Sequence, residues 1–183
     1  KTDGDISLAI DSGVGYFVAD NTDELEALEQ IAGEKGVKQR ILLRVTPGID
    51  PHTHKKISTG SVESKFGIPI ETGQAFEAVK SVLAKKNIIL CGFHCHIGSQ
   101  IFESVPFATA LEIMLDFIKN VKEKLGFNTD MLNLGGGFGV RYTESDPKIS
   151  YTEKIREVAN SLNKQCAALR LNTPKILTEP GRS

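Results

Sequence analysis

The sequence has few cysteines, no excess of charge of either sign and no long hydrophobic run. Three cysteines among 183 residues, Cys91, Cys95 and Cys166, are too few and odd in number for a disulfide framework. A formal net charge of −1 provides no general attraction to nucleic acid or anionic lipid. No apolar run approaches the roughly 18 to 20 residues of a membrane span, and the first residues do not form a secretory signal. These absences predict a cytoplasmic protein that binds a small molecule rather than nucleic acid or a membrane.

The composition is that of an ordinary globular domain, with 40% hydrophobic and 25% charged residues. It excludes a disordered, collagen-like or coiled-coil chain. The sequence starts without a methionine, in a polar stretch, and stops at Ser183 shortly after a predicted strand. We therefore expect a fragment of a longer protein.

Apolar strands alternate with amphipathic helices along the chain. The apolar runs predict strands at residues 15–20, 39–45, 88–97, 131–134 and 175–178. Helical periodicity predicts helices at residues 22–32, 75–84, 106–125 and 151–169, the first capped by Asn21 or Thr22 and the third ended by Gly126. This alternation indicates an α/β fold of parallel βαβ units.

Both a doubly wound sheet and a (β/α)8 barrel fit that alternation. Polar residues that suit chemistry follow every predicted strand: Asp20, Arg44, His96 to Ser99, Gly135 to Gly137, and Glu179 to Arg182. The carboxyl-terminal rim of a barrel collects residues in this way, whereas an open sheet concentrates them at one switch point. We predict an incomplete (β/α)8 barrel with five strands present and about three outside the chain.

A run of glycines follows the fourth predicted strand. Gly135, Gly136 and Gly137 place backbone N–H groups without side chains where an anion such as phosphate can approach. The run is not a dinucleotide fingerprint, because the last glycine of that motif is missing and no helix begins there. The alternative is a glycine turn that only relieves crowding.

The third predicted strand ends in two histidines, His94 and His96, on one face, with Cys95 on the other. Two histidines on one face can bind a metal, but no acidic third ligand is near in sequence, so we predict no metal site. His94 is interpreted as an interior histidine. His96 lies nearest the rim with the Ser99 hydroxyl beside it, which favours a flat imidazole next to an anion site.

Two charged groups at strand ends remain. Glu179 and Arg182 follow the last strand, where they form either part of a binding site or a local ion pair. Arg44 closes the second strand and should point into the barrel, where a lone cation is costly unless it meets a ligand or a structural partner such as Glu179.

The segment 46–67 is too long for an ordinary βα connection and is typical of a lid. Its histidines, His52 and His54, are interpreted as solvated or as fixing the loop. The three cysteines are interpreted as small buried apolar residues.

Six motifs in chain order resemble diaminopimelate decarboxylases, which belong to the alanine racemase-like enzymes that use pyridoxal 5'-phosphate (PLP). They are Arg44-Val-Thr-Pro-Gly48, Ile57-Ser-Thr-Gly60, Ser64-Lys-Phe-Gly67, His94-Cys-His-Ile-Gly-Ser-Gln100, Leu132-Asn-Leu-Gly-Gly-Gly137 and Glu179-Pro-Gly-Arg182. The resemblance covers nearly the whole chain. It implies a PLP-binding (β/α)8 barrel followed by a β domain, a homodimer, and decarboxylation of meso-2,6-diaminopimelate to L-lysine.

The resemblance also implies roles for individual residues. His96 stacks on the pyridine ring, Glu179 pairs with the ring nitrogen, and these two are the catalytic residues in this chain. Arg44 faces the phenolic oxygen of the cofactor. Ser99, the backbone of Gly135, Gly136 and Gly137, and Gly181 with Arg182 hold the phosphate. Arg182 is also a candidate for binding a substrate carboxylate.

Other features of the family have no counterpart here. Its Schiff-base lysine lies on an early barrel strand and matches neither Lys1 nor Lys65, and its proton-donor cysteine lies in the C-terminal β domain. Lys56 stands where many relatives carry an aromatic residue. We expect residues 1–183 to be the central part of the barrel domain, without the N-terminal strands that carry the lysine or the β domain, and inactive alone.

Three other functions stay open. One is a decarboxylase for ornithine, arginine or a carboxylated polyamine, although the strings 57–60 and 98–100 favour diaminopimelate. Another is a non-catalytic PLP-binding homologue. The third is a phosphate-binding barrel without PLP.

Overall fold

The computed structural model describes residues 1–49 and 66–182. The elements in chain order are α1 (Asp3–Asp11), β1 (Phe17–Ala19), α2 (Thr22–Glu34), β2 (Gln39–Thr46), β3 (Ile68–Pro69), α3 (Gln74–Leu83), β4 (Ile88–His94), α4 (Val105–Leu125), β5 (Met131–Asn133), α5 (Tyr151–Leu169) and β6 (Lys175–Leu177). Strands and helices alternate as the sequence predicts.

The five predicted strands form one parallel sheet in the order β1-β2-β4-β5-β6, and β3 adds a short parallel pair at the end of β2. Apart from this appended strand, spatial order follows chain order without reversal. A doubly wound sheet reverses direction at its switch point, whereas a barrel adds each strand beside the last. The predicted incomplete barrel is therefore confirmed.

Local sequence signals explain where the helices begin and end. The Asn21 side chain accepts a hydrogen bond from Glu24 N, and the Ser150 side chain accepts one from Glu153 N, so both act as N-caps. Gly126 ends α4 in the left-handed conformation, with φ 69°, as its position predicts.

The core lies between the sheet and the helices. Leu43 on β2, Phe93 on β4 and Leu132 on β5 are fully buried and pack against apolar faces such as that of Met114 on α4. The cysteines are also buried, as predicted. Burial raises the pKa of the Cys95 thiol to about 12, so this cysteine is a neutral packing group.

Besides the added strand β3, the structure differs from the predicted elements in two main places. No element is predicted over the residues of α1, whose N-cap Thr2 forms a capping box with Asp5. Only Ile6 of this helix is buried and Leu8 is exposed, so the periodic signal is weak. The strand predicted at residues 88–97 ends at His94, because residues 95–100 turn across the rim.

Candidate active site

The predicted site residues come together at one edge of the sheet. Because the strands are parallel, the loops after β4, β5 and β6 leave from the same edge, and their backbones touch. A Cβ atom on Gly136 would overlap the carbonyl oxygen of Glu179, and one on Gly137 would overlap that of Gly98. The crowding interpretation of these glycines is therefore correct for Gly136 and Gly137, since no side chain fits between the loops.

The backbone N–H groups of the glycine turn differ in their partners. Gly135 N donates to Asn133 Oδ1 at 2.8 Å, and Gly136 N donates to His96 Nδ1 at 3.3 Å. Among the described residues, Gly137 N has no acceptor. The turn can thus relieve crowding and still offer a donor to an anion.

Side-chain donors lie close to this turn. Arg182 donates through Nη2 to Ser99 Oγ and through Nη1 to the Tyr142 hydroxyl at 2.9 Å. All three side chains are exposed on the rim. A guanidinium and a hydroxyl beside an unpaired backbone N–H form a pocket for a phosphate or carboxylate.

Glu179 is held from the neighbouring strand. Its Oε1 accepts a hydrogen bond from Asn133 Nδ2 at 2.8 Å and lies 3.6 Å from His94 Nε2. The alternative of a local ion pair between Glu179 and Arg182 is wrong, because Arg182 instead contacts Ser99 and Tyr142. The carboxylate and the guanidinium serve different parts of the rim.

Both histidines are biased toward the neutral form. Burial lowers the pKa of His94, and the Arg44 charge acts in the same direction while the nearby Glu179 carboxylate opposes it. Partial burial and Arg44 lower the pKa of His96, again against Glu179. The Nδ1 atom of His96 accepts from Gly136 N, so its ring is fixed at one edge and its faces stay available for stacking.

The structural partner of Arg44 is Asp20, not Glu179 as the sequence suggested. Its Nη1 forms an ion pair at 3.1 Å with Asp20 Oδ1, and its guanidinium carbon lies 4.9 Å from the centre of the Phe66 ring. Glu179 is not its partner because β6 is three strands away from β2, whereas β1, which leads into Asp20, is adjacent. A cavity of about 320 Å³ is lined by Arg44, Phe66 and His96 among others.

The remaining sequence predictions concern a metal, the long segment after β2 and membranes. Within the described ranges, no group of three or more histidine, cysteine or acidic side chains can hold a metal ion. His52, His54, Lys56, Lys65 and the motif 57–60 lie outside the described residues, as does most of the predicted lid. No helix in the described part of the chain is long and apolar enough to cross a bilayer.

No role is predicted from the sequence for Asn133, Gln100 or Tyr142. Gln100 accepts from Val140 N at 2.9 Å and donates to Val140 O at 3.1 Å, which ties the loop after β4 to the loop after β5. One feature of the sequence could have indicated Asn133. It is an amide at the end of a short apolar strand, and a buried amide needs a hydrogen-bond partner. Nothing in the sequence pattern indicated Tyr142.

The arrangement fits a flat, phosphorylated, nitrogen-containing cofactor. An anion pocket lies beside a neutral imidazole and a carboxylate held by neighbouring strands. Comparison with known proteins agrees. The profile of the family described as pyridoxal-dependent decarboxylase, pyridoxal binding domain, matches residues 1–183. The chain belongs to this family, and its cofactor is pyridoxal phosphate.

Similar proteins carry a more specific name. The diaminopimelate decarboxylases of Halalkalibacterium halodurans and Bacillus methanolicus are 44% and 43% identical over the whole chain, which spans 42% of the length of each. A crystal structure of diaminopimelate decarboxylase from M. jannaschii, in co-complex with L-lysine, superposes with a TM-score of 0.89 at 32% identity. That match covers the whole chain and 41% of the solved one.

Proposed function

We propose that residues 1–183 are the central part of the cofactor-binding barrel of a diaminopimelate decarboxylase, which converts meso-2,6-diaminopimelate to L-lysine and CO2. One observation carries the proposal: a pocket that suits a phosphate, at Ser99 and Arg182, lies on the same rim as the Glu179 carboxylate, which Asn133 of the neighbouring strand holds. The choice of substrate is supported by relatives of that name with 36–44% identity.

Each rim residue has a role in this proposal. His96 stacks on the cofactor ring, Glu179 pairs with the ring nitrogen, and Arg44, itself paired with Asp20, faces the phenolic oxygen. The phosphate is held by Ser99, the backbone N–H of Gly137, and Gly181 with Arg182. The N–H groups of Gly135 and Gly136 already donate to Asn133 and His96, so these two residues shape the turn around the phosphate. Arg182 is also the candidate for a substrate carboxylate, because its guanidinium is exposed.

Bound pyridoxal phosphate supplies an electron sink for the loss of the α-carboxylate as CO2. Glu179 keeps a proton on the ring nitrogen, and this positive charge strengthens the sink. His96 would hold the ring by stacking on one face and would exclude water from that face. The protein thereby contributes orientation and charge rather than covalent chemistry at these positions.

The chain spans 42% of the length of these relatives, so further groups are proposed to come from the rest of the protein. They are the Schiff-base lysine on N-terminal barrel strands and the proton-donor cysteine in a C-terminal β domain. We also propose a cytoplasmic homodimer whose substrate is a small amino acid.

The test is a substrate comparison in the full-length enzyme. We expect CO2 release and L-lysine formation from meso-diaminopimelate, with kcat/KM at least about 100-fold above that for ornithine, arginine or a carboxylated polyamine, a difference of ~2.7 kcal/mol in transition-state binding. A preference for ornithine or arginine would refute the substrate. A PLP-loaded protein without turnover would identify a non-catalytic homologue, and a protein that binds no PLP a phosphate-binding barrel.

A further inference from the structure

The two contacts of the Glu179 carboxylate fall on the same oxygen. Asn133 Nδ2 lies 2.8 Å from Oε1, and His94 Nε2 lies 3.6 Å from this same atom. In the described ranges, no protein donor reaches Oε2. One oxygen is therefore occupied by the protein, and the other is available.

The sheet register explains this arrangement. Arg44 pairs with His94 across β2 and β4, His94 with Asn133 across β4 and β5, and Asn133 with Leu177 across β5 and β6. Residues in register on neighbouring parallel strands project to the same face, so His94 and Asn133 lie side by side beneath the carboxylate. Both are buried, at 4% and 5% exposure, whereas the Glu179 side chain that they contact is half exposed and faces the open rim.

The orientation of the Asn133 amide is fixed by its second bond. Asn133 Oδ1 accepts from Gly135 N at 2.8 Å, so the amide nitrogen must face Glu179. One buried side chain thus connects the glycine turn to the carboxylate.

His94 provides a neutral and dry neighbour. Its Nδ1 is buried and has no partner in the described part of the chain. A neutral ring does not neutralise Glu179, whereas an imidazolium would compete with the cofactor nitrogen for its negative charge.

We propose that Asn133 and His94 are positioning residues that hold Oε1 of Glu179, so that Oε2 and the carboxylate charge are directed to the pyridine nitrogen of the cofactor. This inference rests on the proposed function. Asn133 sets the direction of the carboxylate through a direct bond, and His94 limits its movement from the buried side.

The test uses the full-length enzyme loaded with PLP that carries 15N in the ring, and the 15N chemical shift reports whether the ring nitrogen is protonated. The main variant is Asn133→Asp, which keeps the acceptor for Gly135 N but replaces the donor to Glu179 by a second carboxylate. Two adjacent carboxylates share a proton, which raises the pKa of the pair. We expect the ring 15N shift to change with pH between about 6 and 9 in the variant and to stay constant in the wild type.

His94→Leu is the second variant and decides the question if Asn133→Asp does not fold. We expect it to move the ring 15N shift toward the unprotonated value and to lower kcat by about 10- to 100-fold with KM changed less, the range seen when groups supporting an active-site ligand are removed. Thr129→Val is the matched control, because the Thr129 hydroxyl is buried without a described partner just before β5. It should leave both readouts unchanged.

A folded Asn133→Asp enzyme with the wild-type 15N shift at every pH would overturn the proposal. If Asn133→Asp does not fold, a wild-type 15N shift in His94→Leu would overturn it. A change of the 15N shift in Thr129→Val as large as that in the two variants would also overturn the proposal, since it would show a general response to altered packing. Failure of the proposed function is seen separately, before any variant is made, as a wild-type enzyme that does not bind PLP or release CO2.

Discussion

The two ends of the sheet satisfy their polar groups differently. At the amino-terminal end, both oxygens of Glu29 are used: Oε1 accepts from Lys86 N and the Asn87 side chain, and Oε2 accepts from Asn87 N and Ile88 N. At the carboxyl-terminal rim, Glu179 uses one oxygen only, and Gly137 N has no acceptor in the described ranges. The fully bonded Glu29 carboxylate contributes to stability, whereas Glu179 and Gly137 at the rim keep unpaired groups that can meet a ligand.

The largest expected effect comes from removing charge at the rim. Glu179→Gln keeps the size of the side chain but lets the ring nitrogen lose its proton, so kcat should fall by about 100-fold or more while PLP occupancy falls less. Steady-state kinetics and the absorbance of bound PLP measure the two quantities. A variant with wild-type turnover would show that ring protonation does not depend on this carboxylate.

The second prediction tests the close approach of the rim loops. Gly136→Val places a side chain against the Glu179 carbonyl, which must move together with its carboxylate. We expect the affinity for PLP to fall by roughly 10-fold or more, as measured by fluorescence titration. The matched control is Gly15→Val, where a Cβ atom meets nothing within 4 Å. Equal affinities in the two variants would contradict the packing argument.

A smaller loss is expected at the phosphate end. Ser99→Ala removes the hydroxyl that Arg182 contacts, and a hydrogen bond to a charged group contributes about 1.5 to 3 kcal/mol. The Kd for PLP should rise by about 10-fold, with kcat at saturating cofactor nearly unchanged. A fall in kcat with unchanged Kd would place Ser99 in the chemistry instead.

The smallest effect is expected at the opposite end of the sheet. Burial alone would raise the pKa of Glu29, but hydrogen bonds from the backbone of Asn87, Lys86 and Ile88 lower it below its ordinary value of 4.5. A carboxyl with a lowered folded pKa stabilises the fold above its unfolded pKa, and this stabilisation is lost as the pH falls through the folded pKa. Glu29→Gln should therefore cost about 1 kcal/mol at pH 7 and less near pH 3, measured by urea unfolding. Turnover of the folded, PLP-loaded enzyme should not change. A change in turnover would show that Glu29 is not confined to a role in stability, unlike the groups of the rim.

The sequence predicted most of the fold because its signals are local. The helix predicted at residues 151–169 matches α5, because the residues that cap it and form its apolar stripe all belong to this segment or directly precede it. The partner of Arg44 could not be predicted in this way. Asp20 and Glu179 are both carboxylates at strand ends, and only the order of strands decides which one is adjacent.

The sequence predicted which residues belong to the candidate site, but not the hydrogen bonds that join them. Asn133 lies inside the motif 132–137, yet its role depends on the register that places it between His94 and Leu177. The two hydrogen bonds of Gln100 to Val140 likewise depend on how two loops meet. Contacts between loops have no periodic signature in the sequence.

The order of strands has a consequence for how the site is assembled during synthesis. Arg44 and Asp20 are 24 residues apart, Gly136 and His96 are 40 apart, and Asn133 and Glu179 are 46 apart, so each pair spans about one βα unit. Such contacts join neighbouring units and can form as each unit leaves the ribosome and docks on the previous one. The contact between Ser99 and Arg182, 83 residues apart, reaches across two units and is the last of these to become possible.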